Sequence, residues 1–100
     1  MKVIYKRDQA RDEELNTFAL DEEGLMIYDE STEETHILNA TAQYIFELLK
    51  TPMTLKEIEE KFKERYEFEE EDLSTLSDDL DEILEEMVSK MIISSERVMI

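Results

Sequence analysis

The chain has 100 residues, with 28 acidic against 11 basic side chains, a formal charge of −17 and no cysteine. One domain is the expected organisation, and disulfides, thiolate metal sites and cysteine nucleophiles are excluded. So acidic a field repels phosphate backbones, so nucleic acid is not an expected partner.

The opening "MKVIYKRDQARDEE" lacks the apolar core of a signal peptide. No apolar run approaches the roughly 18 residues that a membrane span requires. A soluble, cytoplasmic protein with no membrane partner is the expectation. Hydrophobic residues make up 41% and are periodically placed, with one Gly and one Pro; this describes a folded, helix-rich chain rather than a disordered one. The charge excess is uneven. Lys2, Lys6, Arg7 and Arg11 balance four acids in residues 1–14, whereas residues 67–86 hold eleven acids and no base. Such a surface suits basic partners.

In chain order, residues 1–14 read as a loosely ordered N-terminal arm in which Val3-Ile4-Tyr5 can form a short strand. From Asn16 the pattern becomes extended. Phe18 and Leu20 share one face of a strand, and Leu25 and Ile27 share one face of the next, with Met26 and Tyr28 opposite. A turn is expected at "DEEG", where Gly24 can take positive φ. After the polar "DESTEE", "THIL" forms a third short strand, giving an antiparallel meander. Asn39 is a favourable N-cap. It opens a helix whose stripe is Ala42, Ile45, Phe46 and Leu49. Pro52 disfavours helical geometry at Thr51, and Thr54 with Glu57 reads as a capping box. The second helix carries Leu55, Ile58, Phe62 and Tyr66. The third runs roughly from Asp72 to Met91. Its apolar positions cover an arc of about 140°, wider than the 100° or so a docked helix needs. The surplus edge holds Leu76, Ile83 and Met87, bordered by Asp79, Glu86 and Lys90. Residues 94–100 form a C-terminal tail that adds a strand, covers a helix end or stays mobile. The expected class is α+β and winged-helix-like: an N-terminal three-stranded antiparallel sheet followed by a three-helix bundle.

No catalytic constellation stands out. His36 is the sole histidine and reads as structural, and carboxylates are too abundant for any pair to be diagnostic. One glycine cannot build a phosphate loop, and the acidic run lacks the spacing of a calcium loop. The expectations are no enzyme activity, no cofactor and no metal site.

The ordered residues "GLMIYDESTEETHILNATAQYIFELLKTPMTLKEIEEKFKERY" resemble the PqqD family, also known as RiPP recognition elements. The resemblance covers about Gly24 to Ile93 within a single PqqD-like domain at 15–93. It is carried by Leu38-Asn39-Ala40-Thr41-Ala42, by Ile45, Phe46, Leu48 and Leu49, and by Thr54, Glu57 and Ile58. Tyr66 and the last helix's Asp79, Leu80, Ile83 and Leu84 complete it. Family members often have Pro where Ala40 stands, a Gly in the first helix–helix turn, and a Gly where Lys90-Met91 stands. Two other likenesses fail. An acyl carrier protein needs Asp-Ser-Leu at a helix start, where this chain has Asp72-Leu73-Ser74, and a DNA-binding winged helix would not carry an acidic long helix.

The resemblance implies a non-catalytic peptide chaperone in natural-product biosynthesis. Such proteins bind the leader of a ribosomally made precursor peptide and present it to a modifying enzyme, commonly a radical SAM enzyme. The leader would add as a strand along Thr35, His36, Ile37 and Leu38 and lie against Leu76, Asp79, Leu80, Ile83 and Met87. Basic leader residues would be drawn to the acids along the helix. The alternative is an acidic protein-interaction or winged-helix regulatory module that binds a basic protein surface with no added strand.

Overall fold

Residues 2–20 and 24–99 are described in the computed structural model. Ten elements follow one another: β1 (Lys2–Lys6), α1 (Gln9–Asp12), β2 (Leu15–Ala19), β3 (Leu25–Asp29), β4 (Glu34–Leu38), α2 (Ala40–Leu48), β5 (Met53–Thr54), α3 (Leu55–Arg65), α4 (Glu70–Ser89) and β6 (Ser94–Val98). The class is α+β, with the expected antiparallel meander β2-β3-β4 followed by helices. Its register pairs Phe18 with Met26 and Met26 with Ile37; on the other face Ile27 lies opposite His36.

A second sheet, in the order β5-β1-β6, was not foreseen. The short strand expected around Val3-Ile4-Tyr5 and the strand offered as one role of the tail are both present, and they pair with each other. Lys2–Lys6 is the middle strand of this sheet, and the tail supplies β6, with Lys2 opposite Val98 and Lys6 opposite Ser94. The physical reason is that two short, half-apolar segments at opposite ends of the chain satisfy each other's backbone groups. Neither segment alone carries a strong enough alternation to announce that pairing. Tyr5 fixes the sheet to the helices: it is buried, and burial together with Asp81 and Glu85 pushes its hydroxyl pKa up.

Local signals place the helices. Asn39 Oδ1 accepts the Ala42 N–H at 2.9 Å, starting α2 with only Asn39 between it and β4. Thr54 and Glu57 form the full capping box of α3. α4 starts at Glu70, two residues before the expected Asp72, where Glu70, Glu71 and Asp72 complement the helix dipole. It ends at Ser89 rather than Met91. Met91 takes φ +62°, Ile92 N–H donates to the Met87 carbonyl and Met91 N–H to that of Val88, which is a Schellman turn.

The core lies between the meander and the helices. The predicted stripe of α2, Ala42, Ile45, Phe46 and Leu49, is buried throughout. It meets Ile27 and Leu38 from the sheet, Ile58 and Phe62 from α3, and Leu76, Leu80, Leu84 and Met87 from α4. The predicted turn at Asp21–Gly24 falls largely outside the described residues. On its described side Gly24 has φ +143°, and a Cβ there would stand 2.9 Å from the carbonyl oxygen of Leu38. Only glycine allows the chain to pass so close to the end of β4.

Candidate functional site

β4 is an outer strand of the meander, so one of its two edges has no neighbouring strand among the described residues. Alternation decides its faces. His36 and Leu38 point inward and are buried, whereas Thr35 is exposed and Ile37 is 69% exposed. The outer edges of β2, β5 and β6 are also unpaired in their sheets. What distinguishes β4 is its setting. Ile37 and Leu38, with Asn39 and Ala42 from the start of α2, form one wall of a cleft of about 140 Å³. Ile83, Glu86, Met87 and Lys90 of α4 form the other. Asn39 is the reason β4 and α2 form one continuous wall, since it ends the strand and caps the helix within one residue.

Ile83 also belongs to a larger cavity of about 530 Å³ farther along α4, lined by Leu76, Asp79 and Leu80 on that helix and by Thr41 of α2. Two adjoining hollows therefore follow α4 and meet at Ile83; together they make a groove along that helix. The sequence-derived groove residues all lie along it, though not alike. Leu76, Leu80 and Met87 are almost wholly buried and offer only the edges of their side chains. Ile83 is half-buried, and Asp79 is exposed on the rim. His36, named with the strand, turns its ring away from solvent, with Nε2 lacking a hydrogen-bond partner and 3.7 Å from a Glu34 oxygen. It can contribute only backbone groups to a visiting strand.

The electrostatics differ between the two ends. At the β4 end, Lys90 Nζ donates to Glu86 Oε1 at 2.8 Å and draws that carboxyl below its usual pKa range. At the far end, Glu67, Asp72 and Asp79 border the cavity, and no Lys, Arg or His of the described residues lies within salt-bridge distance of them. Sequence reasoning missed Phe68 and Glu67 here, and it assigned Tyr66 only to a helix. An aromatic pair in the middle of an otherwise acidic stretch, "RYEFEEED", was the available signal.

The β3–β4 turn is held by a buried ion pair. Asp29 is 0% exposed and accepts from the Arg11 guanidinium, from Ser31 N–H and from Ser31 Oγ. Arg11 also donates to the Met91 carbonyl, tying the turn to the end of α4. Its hydrogen bonds hold the Asp29 carboxyl well below the carboxylate range, against the opposing effect of burial.

The family model for coenzyme PQQ synthesis protein D matches residues 23–93. The chain belongs to the PqqD family. Members of the PqqD family are accessory proteins, not catalysts, that bind peptide precursors in biosynthesis. The matched span runs from β3 through α4 and so includes both walls of the groove. β1, α1, β2 and β6 fall outside it. No curated protein and no solved structure matches the chain. Among the described residues, no group of three His, Cys, Asp or Glu is placed to hold a metal, and no helix is long and apolar enough to cross a membrane.

Proposed function

We propose that this PqqD-family protein captures the leader of a ribosomally made precursor peptide as an extra strand on β4 and hands it to a modifying enzyme of the radical SAM type in the cytoplasm. Thr35, His36, Ile37 and Leu38 supply backbone hydrogen bonds. Leu76, Asp79, Leu80, Ile83 and Met87 supply the side-chain surface that selects the guest. The observation that carries this reading is the unpaired edge of β4 beside a groove walled by α4. Strand addition uses main-chain groups for affinity and adjoining pockets for specificity. β4 has both within reach, whereas Glu96 and Arg97 make the β6 edge strongly charged, a feature that discourages pairing.

The test is a titration of ¹⁵N-labelled protein with a candidate precursor peptide. Amides of Thr35 to Leu38 and of Ile83 are expected to shift, and part of the affinity is expected to survive about 0.5 M salt, where exposed charge pairs are screened. Shifts confined to the acidic face of α4 that vanish in salt would instead establish the acidic interaction module. Shifts along β2 with β4 unmoved would also overturn the proposal.

A further inference from the structure

We propose that the larger cavity, between α2, the end of α3 and the first half of α4, is a second subsite that receives a lysine or arginine side chain of the bound peptide. This deepens the strand-addition reading above and rests on it for the peptide, but not for the subsite's chemistry.

The cavity measures about 530 Å³, ample for one long side chain. One wall is aromatic. Tyr66 lies 5.7 Å from Phe62 in a stacked arrangement and 6.3 Å from Phe68, edge to face. Leu76 and Leu80 add aliphatic surface. Such a lining suits the methylene stem of Lys or Arg, with the cationic head beside a ring face. The rim decides between a cationic occupant and a neutral one. Glu67, Asp72 and Asp79 stand at the rim with no salt-bridge partner among the described residues, and none of the lining residues is basic. Arg65 does not line the cavity: its guanidinium lies on the side of the neighbouring cleft with Glu47, 4.3 Å from the Tyr44 ring and 5.6 Å from the Tyr66 ring, which leaves Phe62 and Phe68 as the ring faces free of a cation.

Continuity places the subsite relative to β4. Ile83 lines both cavities, so an extended guest that leaves the β4 edge passes it toward the acidic mouth. Along a helix that rises about 1.5 Å per residue, Leu76 and Asp72 lie roughly 10 and 16 Å from Ile83. An extended peptide covers that in about three to five residues. The basic residue therefore belongs three to five positions from the apolar residue facing Ile37 and Ile83.

The subsite is tested without knowing the natural peptide. The ¹⁵N-labelled full chain is titrated with N-acetylarginine methylamide and with its uncharged isostere N-acetylcitrulline methylamide. The arginine probe is expected to shift Thr41, Tyr66, Thr75 and Leu76 with millimolar affinity. Citrulline should bind about fivefold more weakly, the discrimination a partly exposed ion pair provides, and an E67Q/D72N/D79N variant should erase the preference. Equal binding of the two probes, a preference that survives the variant, or silence of these amides at about 50 mM, beyond the affinity expected of a matched fragment, would each overturn the subsite. A second arm selects a phage-displayed random peptide library on the same protein. Selected peptides that shift residues 35–38 and carry Lys or Arg at the stated spacing support both proposals. Peptides that shift 35–38 with no basic preference remove the subsite and leave strand addition standing. Basic peptides that shift Thr75 and Leu76 but not 35–38 do the reverse.

Discussion

Arg11 and Asp29 are 18 residues apart, yet one salt bridge between them joins α1, the β3–β4 turn and the end of α4. Because the folded-state pKa of Asp29 is depressed, its ionisation contributes stability above the unfolded carboxylate value of about 3.9, and that contribution drains away as pH falls below it. Asp29→Asn is expected to cost about 2–3 kcal/mol at pH 7, since Arg11 is left largely desolvated beside a neutral amide. The difference from the parent protein should shrink steadily below about pH 4, as urea midpoints at pH 7, 4 and 2.5 would reveal. Met91 offers the opposite sign. Its backbone is left-handed at φ +62° and its side chain is 52% exposed. Met91→Gly should therefore stabilise by about 1 kcal/mol, visible as a higher denaturant midpoint. The Arg11 hydrogen bond to the carbonyl at position 91 would be retained. Residue-scale legibility followed sequence distance. Asn39 with Ala42 and Thr54 with Glu57 could be named in advance because each pairing spans three residues. The Arg11–Asp29 bridge could not, because the fold alone brings those two together.

At the scale of elements, α4 shows how one helix divides its duties. Leu84 is fully buried, while its neighbour Ile83 is half-buried and lines both cavities. Leu84→Ala should lower stability by about 2–5 kcal/mol, the usual cost of truncating a fully packed core residue. Ile83→Asp should weaken precursor-peptide binding by about 1–3 kcal/mol through lost apolar contact and should leave the far-ultraviolet dichroism of the fold unchanged. Calorimetric titration and thermal melts on the two variants separate these effects; unfolding of the Ile83→Asp protein would assign that side chain to the core. The three strands of the meander, the three longer helices and their buried stripes were legible because period-2 and period-3.6 patterns are local. The division of the α4 stripe was not. Leu76, Ile83 and Met87 formed one edge by helical angle, but only Ile83 stays partly open, while Leu76 and Met87 are taken into the buried core cluster.

The whole molecule holds a charge of −17 in one small fold. Like charges so crowded oppose compactness, and added salt relieves them. The midpoint of thermal unfolding is accordingly expected to rise by several degrees between about 10 mM and 0.5 M sodium chloride, against the ordinary weakening of exposed ion pairs such as Lys6–Glu96. A falling midpoint would mean that such pairs outweigh the general repulsion. Charge and class were readable from composition, but the β5-β1-β6 sheet was not, because it joins residues up to 96 positions apart.

That sheet has a practical corollary. With Lys2 facing Val98, a short engineered linker between them would close residues 2–98 into a ring with little distortion. Cutting the ring afresh between Ser31 and Glu33 would leave a loose terminus beside β4, to which a guest sequence could be covalently spliced and its docking followed without any free peptide in solution.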